Sequence, residues 1–506
     1  MIEAHLRIAP LLTLAALFAL FLFVGLIGRR TGREYYLVSH RSPGHMGIGA
    51  AIASNWMSAA SFLGIAGVFF LKGYFALAFV IGWTGGYVLL LVLMAGQLRR
   101  FGKYTAPEFV GDRYESDTAR VLSALITVTI SLIYCVAQFK GIGLIFSWIF
   151  GIGYTRALLL GAILVIGYMV VAGTLGASRN QQFQYAVLLL TFLVPLMVLA
   201  KHLGFGWLLP QVSYGEALQE LATAAQSQYT FPWAFGTPYQ WMALCFTLMV
   251  GTAGLPHVLS RFYTVRNIRD ARWSVVWGIF FIGLLYWSAP AFAAFAKVWQ
   301  LRNGLHLDAE QARQVADLIV VYAGEWAGLP EWLTGIVAVG AISAAFYTLS
   351  GLLITGAGAF SYDIYYRIIN PRANERHRVR VAKVATLVLA LLVVGLAINP
   401  PGLIAEIAAL AFALAGNTLF PVFLLGIWWE RANKHGAVAG MLTGCAITIG
   451  SLLWSNHPLL GAVLPPTSSA LIGAPLVGLV IIIVSLLTPT PSPRIHQLLV
   501  DTVHEP

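Results

Sequence analysis

Residues 47–73 read GIGAAIASNWMSAASFLGIAGVFFLKG, from Gly47 to Gly73. The stretch is long enough to cross a bilayer, since about 20 apolar residues span roughly 30 Å of hydrocarbon. Its centre, Ala53-Ser54-Asn55-Trp56-Met57-Ser58-Ala59-Ala60-Ser61, is polar and small where lipid favours Leu. Ser and Asn compete for backbone hydrogen bonds and are poor residues for a helix interior. A span that is polar at mid-depth is either packed among other helices through small residues or locally unwound. Unwound backbone at that depth survives only where it is buried in protein or lines a cavity.

Outward from this stretch, composition sets the class. Apolar residues make up 59% and charged residues 10% of the chain, with mean hydropathy +0.79. Soluble domains carry about 25% charge, so this is an all-α polytopic membrane protein. Cys135, Cys245 and Cys445 all fall in apolar spans, which argues against a disulfide scaffold. The first apolar run is too long for a signal peptide and leads into Arg29-Arg30.

Thirteen apolar spans follow one another, at about 9–28, 47–72, 75–98, 121–150, 156–173, 181–201, 239–259, 273–299, 331–362, 380–399, 402–429, 436–455 and 468–487. The first is a leader helix within 1–46. Core helices one to five occupy 47–201, an outer loop 202–238, and core helices six to ten 239–429. Two further helices occupy 430–487 and a short Pro-rich tail 488–506, with no soluble catalytic domain appended.

Lys and Arg set the orientation. With the N-terminus outside, alternate loops place 23 of them inside and seven outside, with Lys140 alone inside a span. The C-terminus is then cytoplasmic, and the +11 formal charge is a topology signal rather than a nucleic-acid footprint. Core helix six reads LMVGTAGLPHVLSRF, broken by Gly251, Gly254 and Pro256. Helices one and six each open a five-helix set, and the two sets run in opposite directions. Interrupted helices at matching positions of inverted repeats point to a secondary transporter with its site at mid-membrane. No metal-ligand cluster, nucleophile motif or paired carboxylates stand at that depth, so the chain does not read as an enzyme.

Several motifs in order resemble the sodium:solute symporter family: WMSAASFLGIAGVFFLKGY (Trp56–Tyr74), GWTGGY (Gly82–Tyr87), IYC (Ile133–Cys135), GLPHVLSRFYT (Gly254–Thr264), SYDIYY (Ser361–Tyr366) and WWERANKHGAVAGM (Trp428–Met441). They span about 35–451 and look most like the bacterial acetate/monocarboxylate branch. The resemblance implies a leucine-transporter-type five-plus-five inverted repeat in a bacterial inner membrane. It implies sodium-coupled symport of a small organic solute, a monocarboxylate such as acetate, by alternating access. No cofactor is implied beyond sodium as coupling ion. Proton coupling, an amino-acid solute, or a transporter-like sensor remain as alternatives. Whether a small membrane partner subunit takes part stays open.

A sodium ion wants several oxygen ligands, as hard cations do. Carboxylates are scarce between the membrane faces: Glu331 and Asp363 cap helix eight and Glu406 lies near the start of helix ten. Neutral oxygens must therefore dominate. The resemblance assigns the carbonyls of Ser54, Met57 and Ala344, with side-chain hydroxyls at Tyr347 and Thr348. It places Gln181, where several relatives carry an aspartate, on the inner cation path. Tyr347 departs from the small hydroxyl residue usual in the family. A membrane threonine also commonly bonds its own i−4 carbonyl.

The solute pocket is expected beside the cation. Asn55 and Trp56 sit in the helix-one break. Tyr134, Gln138 and Gly141 share a face of helix three, Asn417 and Thr418 precede Pro421 on helix ten, and His257 ends the helix-six break. Lys140 is a functional-site candidate because a charge within a span is expensive. It would neutralise an anionic solute, replace a sodium, carry a proton, or snorkel to the surface. It lies about 120° around helix three from Tyr134, at 100° per residue.

Overall fold

A chain whose backbone must hydrogen-bond to itself inside lipid has helices as its economical solution. The computed structural model describes residues 5–29, 53, 56–101, 105–224, 227–259 and 268–499, and all regular structure among them is helical. Nine of the described helical stretches are long and apolar enough to cross a membrane, and Ile8–Leu20 and Tyr154–Gly167 are shorter apolar helices.

The leader is Ile8–Arg29. The described part of helix one beyond its polar centre is Ala60–Gly64 continued by Ile65–Lys72. Gly73 then takes a φ of 49°, a conformation that favours glycine, so that the chain turns at once into helix two, Leu77–Leu90 with its continuation to Phe101. Helix three is Asp117–Phe150 and helix seven Ile268–Arg302. Helix eight is Glu331–Gly358, extended by π-helical turns to Ile369. Helix nine is Glu375–Ala397, helix ten Ile404–Trp428, helix eleven Lys434–Leu453 and helix twelve Ala470–Leu487.

Helices four and five, expected as separate spans, are helical without interruption from Tyr154 to His202. At 1.5 Å per residue such a segment measures about 70 Å, more than twice a bilayer core. Both its ends nevertheless lie at one face. The Tyr154 hydroxyl donates to the Ala397 carbonyl at the end of helix nine, and Arg302, ending helix seven, donates to the Leu203 carbonyl. Its two apolar stretches, Tyr154–Gly167 and Tyr185–His202, fall where helices four and five are expected.

Helix six fulfils the expectation of a break. Pro238–Gly254 stops at Leu255, which is extended (ψ 119°), and Pro256–Leu259 resumes the helix. Proline lacks the N–H that would continue the ladder. At Gly254 an added Cβ would stand 2.7 Å from the Ala415 carbonyl oxygen, so only glycine admits helix ten there.

Helices eight and ten form the buried centre, and helix nine and the last two present mainly apolar exposed faces, as lipid-facing helices do. Charges gather at the two ends. At one, two short helices between helices seven and eight, Ala309–Ala316 and Ile319–Trp326, form a cap. At the other, Arg113 is fully buried and donates to the carbonyls of Gly426, Trp429 and Ala432, capping helix ten. There also Thr105 donates to Asp363 and Arg367 to Glu108, tying the end of helix eight to the short helix Ala106–Arg113.

Candidate functional site

Helix one is interrupted at Met57 and Ser58, which lie outside any helix between Trp56 and Ala59. Opening a helix there frees carbonyls on one side and N–H groups on the other. They are met partly by neighbouring helices and partly by helix one itself. The Ala59 N–H donates to Gln138 Oε1 (2.9 Å) and the Ser61 N–H to Ser58 Oγ (3.3 Å). The Tyr134 hydroxyl donates to Ser58 Oγ at 3.0 Å, and Ser61 Oγ lies 3.1 Å from the Tyr286 hydroxyl of helix seven. Gly141 completes the helix-three face, since a Cβ there would stand 2.8 Å from Ala59 Cβ.

Helix eight supplies the informative contact. Ser343 and Ser350 donate to their own i−4 carbonyls, of Val339 and Phe346. Thr348 does not: its Oγ1 donates across to the Met57 carbonyl at 2.9 Å. Two oxygens expected in the cation site are thereby adjacent and buried, with Ala344 one turn away on helix eight and also buried. Tyr347 is buried as well. Ser54 and Asn55 lie outside the described residues. Gln181 is helical in its backbone, and its side chain lies outside the described part.

Beyond the break is an aromatic cluster built on Phe412 of helix ten. Its ring lies 6.4 Å from Trp56, 5.5 Å from Trp83 and 5.6 Å from Tyr134. Trp56 and Tyr87 are 5.6 Å apart, and Tyr134 and His257 5.7 Å. Helix two reaches helix six through Gly82, Gly85 and Gly86, where added Cβ atoms would meet Cys245, Leu248, Met249 and Thr252. Five buried polar groups here make no hydrogen bond: Trp56 Nε1, Trp83 Nε1, the Tyr87 hydroxyl, Gln138 Nε2 and Thr252 Oγ1. The Trp56 indole lies toward the Tyr286 hydroxyl without closing a hydrogen bond. Buried polar groups are almost always paired, so this set makes the cluster a candidate ligand site. All five can donate, and no Lys, Arg, Asp or Glu is among them.

The chain matches the model of the sodium:solute symporter family over residues 35–444. It belongs to that family. An uncharacterized symporter of Cupriavidus necator is 31% identical, over 95% of this chain and 91% of that protein. The uncharacterized symporter YwcA of Bacillus subtilis is 32% identical over 82% of this chain and 79% of its own length. Among solved structures, a Na+-coupled sialic acid symporter in a substrate-bound outward-open state superposes with TM-score 0.76 at 17% identity, covering 96% of this chain and 99% of that one. A nucleobase-cation-symport-1 family transporter in a closed conformation gives 0.57 at 12% identity, over 91% and 96%. The symporter therefore has the leucine-transporter-type inverted-repeat fold.

Not every expected residue of this symporter reaches the cluster. Lys140 donates to Asp317 of the cap and, at 2.7 Å, to the Gly402 carbonyl. Asn417 Nδ2 donates to Thr448 and Ser469, both at 2.9 Å, fastening helix ten to the last two helices. Thr418 donates to the Leu414 carbonyl of its own helix. The Lys140 ammonium, the Asn417 amide nitrogen and the Thr418 hydroxyl are thus engaged elsewhere, while Asn417 Oδ1 is buried without a hydrogen bond. Met57, Trp56, Tyr134, Gln138 and Thr348 are brought together. Sequence reasoning overlooked Trp83, Tyr87, Thr252, Phe412 and the Ser61–Tyr286 pair. A signal for two of them existed in GWTGGY: its aromatics stand at i, i+4, on a helix whose glycines press against the broken helix six.

Proposed function

We propose that this symporter couples sodium entry to uptake of a small monocarboxylate such as acetate, by alternating access. The observation that carries the coupling is the hydrogen bond from Thr348 to the Met57 carbonyl across helices eight and one. In the proposed bound state both oxygens turn to sodium, with the carbonyls of Ser54 and Ala344, and the Thr348 proton rotates away. Tyr347 contributes packing rather than the short hydroxyl usual in the family. Linkage is then reciprocal: sodium tightens the solute, and the solute tightens sodium by the same factor.

The donor set around Phe412 supports the solute class. A carboxylate accepts at about four lone-pair positions and donates none. Two indole N–H groups, two hydroxyls and one amide match that demand. An amino-acid ammonium asks for acceptors, which the five groups supply less well. A solute carboxylate here also meets the positive end of the outer half of helix one. Orientation follows the Lys and Arg count, with the cap face outside.

The test is uptake of radiolabelled acetate by purified protein in liposomes, under an imposed sodium gradient and separately under a proton gradient. Uptake driven by sodium and diminished in Thr348→Ala supports the reading. Uptake that follows only the proton gradient, with Thr348→Ala unaffected, removes sodium and leaves the fold standing. Absence of any acetate counterflow removes the solute.

A further inference from the structure

The contacts made by the cap divide unequally between its neighbours. Asp317 and Glu325 are two of its carboxylates. Asp317 pairs with Lys140 of helix three, the side chains being 3% and 13% exposed, and accepts the Ile404 N–H at the start of helix ten at 3.2 Å. Glu325 accepts from Arg7, which precedes the leader, at 2.8 Å and from Trp148 Nε1 of helix three at 2.9 Å. Arg7 is 3% exposed and also donates to the Trp148 carbonyl. Both carboxylates thus bind helix three, one directly beside helix ten and the other beside the leader.

The cap meets helices one and seven differently. Trp326 stacks on Trp299 of helix seven at 6.0 Å and lies 6.4 Å from Phe70 of helix one. Ala316, next to Asp317, rests in a notch at Gly67, where an added Cβ would stand 2.6 Å from the Ala316 oxygen. One turn earlier Gly64 admits Ala405 of helix ten in the same way. The ion pair that spans this seam, Lys72 to Glu406 at 3.2 Å, has side chains 36% and 23% exposed, and Arg313 of the cap stands 3.9 Å from the same carboxylate.

Separating two surfaces is easiest where no charge is stranded in a low-dielectric interior. Lifting the cap from helices three and ten would strand Asp317 and Lys140 and take from buried Arg7 its partner Glu325, itself 37% exposed; breaking a buried pair is strongly unfavourable. Parting helix one from the cap and from the start of helix ten strands no buried charge and breaks one partly exposed pair, Lys72 with Glu406 of helix ten, which contributes little. We infer that the cap is a fixed part of the scaffold, held by Asp317 as a positioning residue, and that the outer gate opens by helix one leaving the Gly64–Gly67 notch, with Lys72–Glu406 as its breakable latch. The inference rests on the alternating-access reading and is independent of which cation drives it. It also gives Lys140 a role in placing the cap and helix ten rather than in holding solute.

The experiment is pulsed-EPR distance measurement in liposomes, in a background with Cys135, Cys245 and Cys445 replaced. One label pair joins cap to scaffold, at the exposed Gln311 and Trp332. A second joins helix one to cap, at Tyr74 and Gln311. The cap–scaffold distance is expected to show one population in sodium, in potassium and with acetate added. The helix-one–cap distance is expected to show two, and Glu406→Gln, with no ligand present, should raise the longer one by up to about fivefold. Two interchanging cap–scaffold populations would make the cap a lid and overturn the inference, as would a helix-one–cap distance that Glu406→Gln leaves unmoved. Failure of the sodium reading looks different: Glu406→Gln shifts the second distance while sodium does not.

Discussion

Tyr87→Phe is the sharpest perturbation of the solute site, because the two arms of its effect have opposite signs. Tyr87 is 1% exposed and its hydroxyl is buried without a hydrogen-bond partner. An unsatisfied buried hydroxyl costs about 1–3 kcal/mol. Phenylalanine keeps the ring, its 5.6 Å contact with Trp56 and nearly all of the volume. The empty protein should therefore become more stable by about 1 kcal/mol or more. A hydrogen bond to a charged acceptor contributes about 1.5–3 kcal/mol, so the half-saturating acetate concentration should rise by roughly 10- to 100-fold. Thermal unfolding of the solute-free protein in detergent reads the first arm, and sodium-driven acetate uptake in liposomes the second. A variant less stable than wild type, or one that takes up acetate with unchanged half-saturation, would refute the claim that this hydroxyl waits for the solute.

Thr348→Ala should raise the half-saturating sodium concentration by roughly tenfold or more, as expected for losing one ligand of a charged group, whereas Thr348→Ser keeps the hydroxyl and should stay near wild type in the same uptake assay. Lys140→Met should leave Asp317 buried and unpaired, at a cost of about 3–5 kcal/mol, read as a lowered unfolding temperature; combining it with Asp317→Leu should recover stability. A stable Lys140→Met protein whose only defect is weak acetate uptake would instead return Lys140 to the solute site. A cysteine at exposed Arg372 should resist impermeant maleimide in intact cells, and labelling from outside would reverse the topology.

Much of the fold follows from the sequence because lipid leaves a backbone few options. Apolar length marks the spans, and the combination of Gly251, Gly254 and Pro256 marks the helix-six break, whereas Pro195, Pro290, Pro421 and Pro475 stand alone inside continuous helices. The polar centre at Ser54–Ser58 likewise announces a break in helix one, and the observed interruption falls at Met57–Ser58. The Tyr134–Gln138 face of helix three is also legible, because i, i+4 spacing fixes which side chains share a side.

Where a polar side chain on a given helix finds its partner is a different kind of fact. Ser343, Thr348 and Ser350 are equivalent hydroxyls on one helix, yet only Thr348 reaches across to helix one. Rotation of helix eight about its axis decides this, and that rotation is set by packing against several helices at once. For the same reason Asn417 turns toward Thr448 and Ser469 instead of the break. Lys140 is the clearest case. The sequence determines that a charge inside a span must be compensated, because its burial is expensive. Only the tertiary structure decides that the compensating carboxylate is Asp317, 177 residues further along the chain, since the cap is folded back over helix three by contacts that no local periodicity encodes.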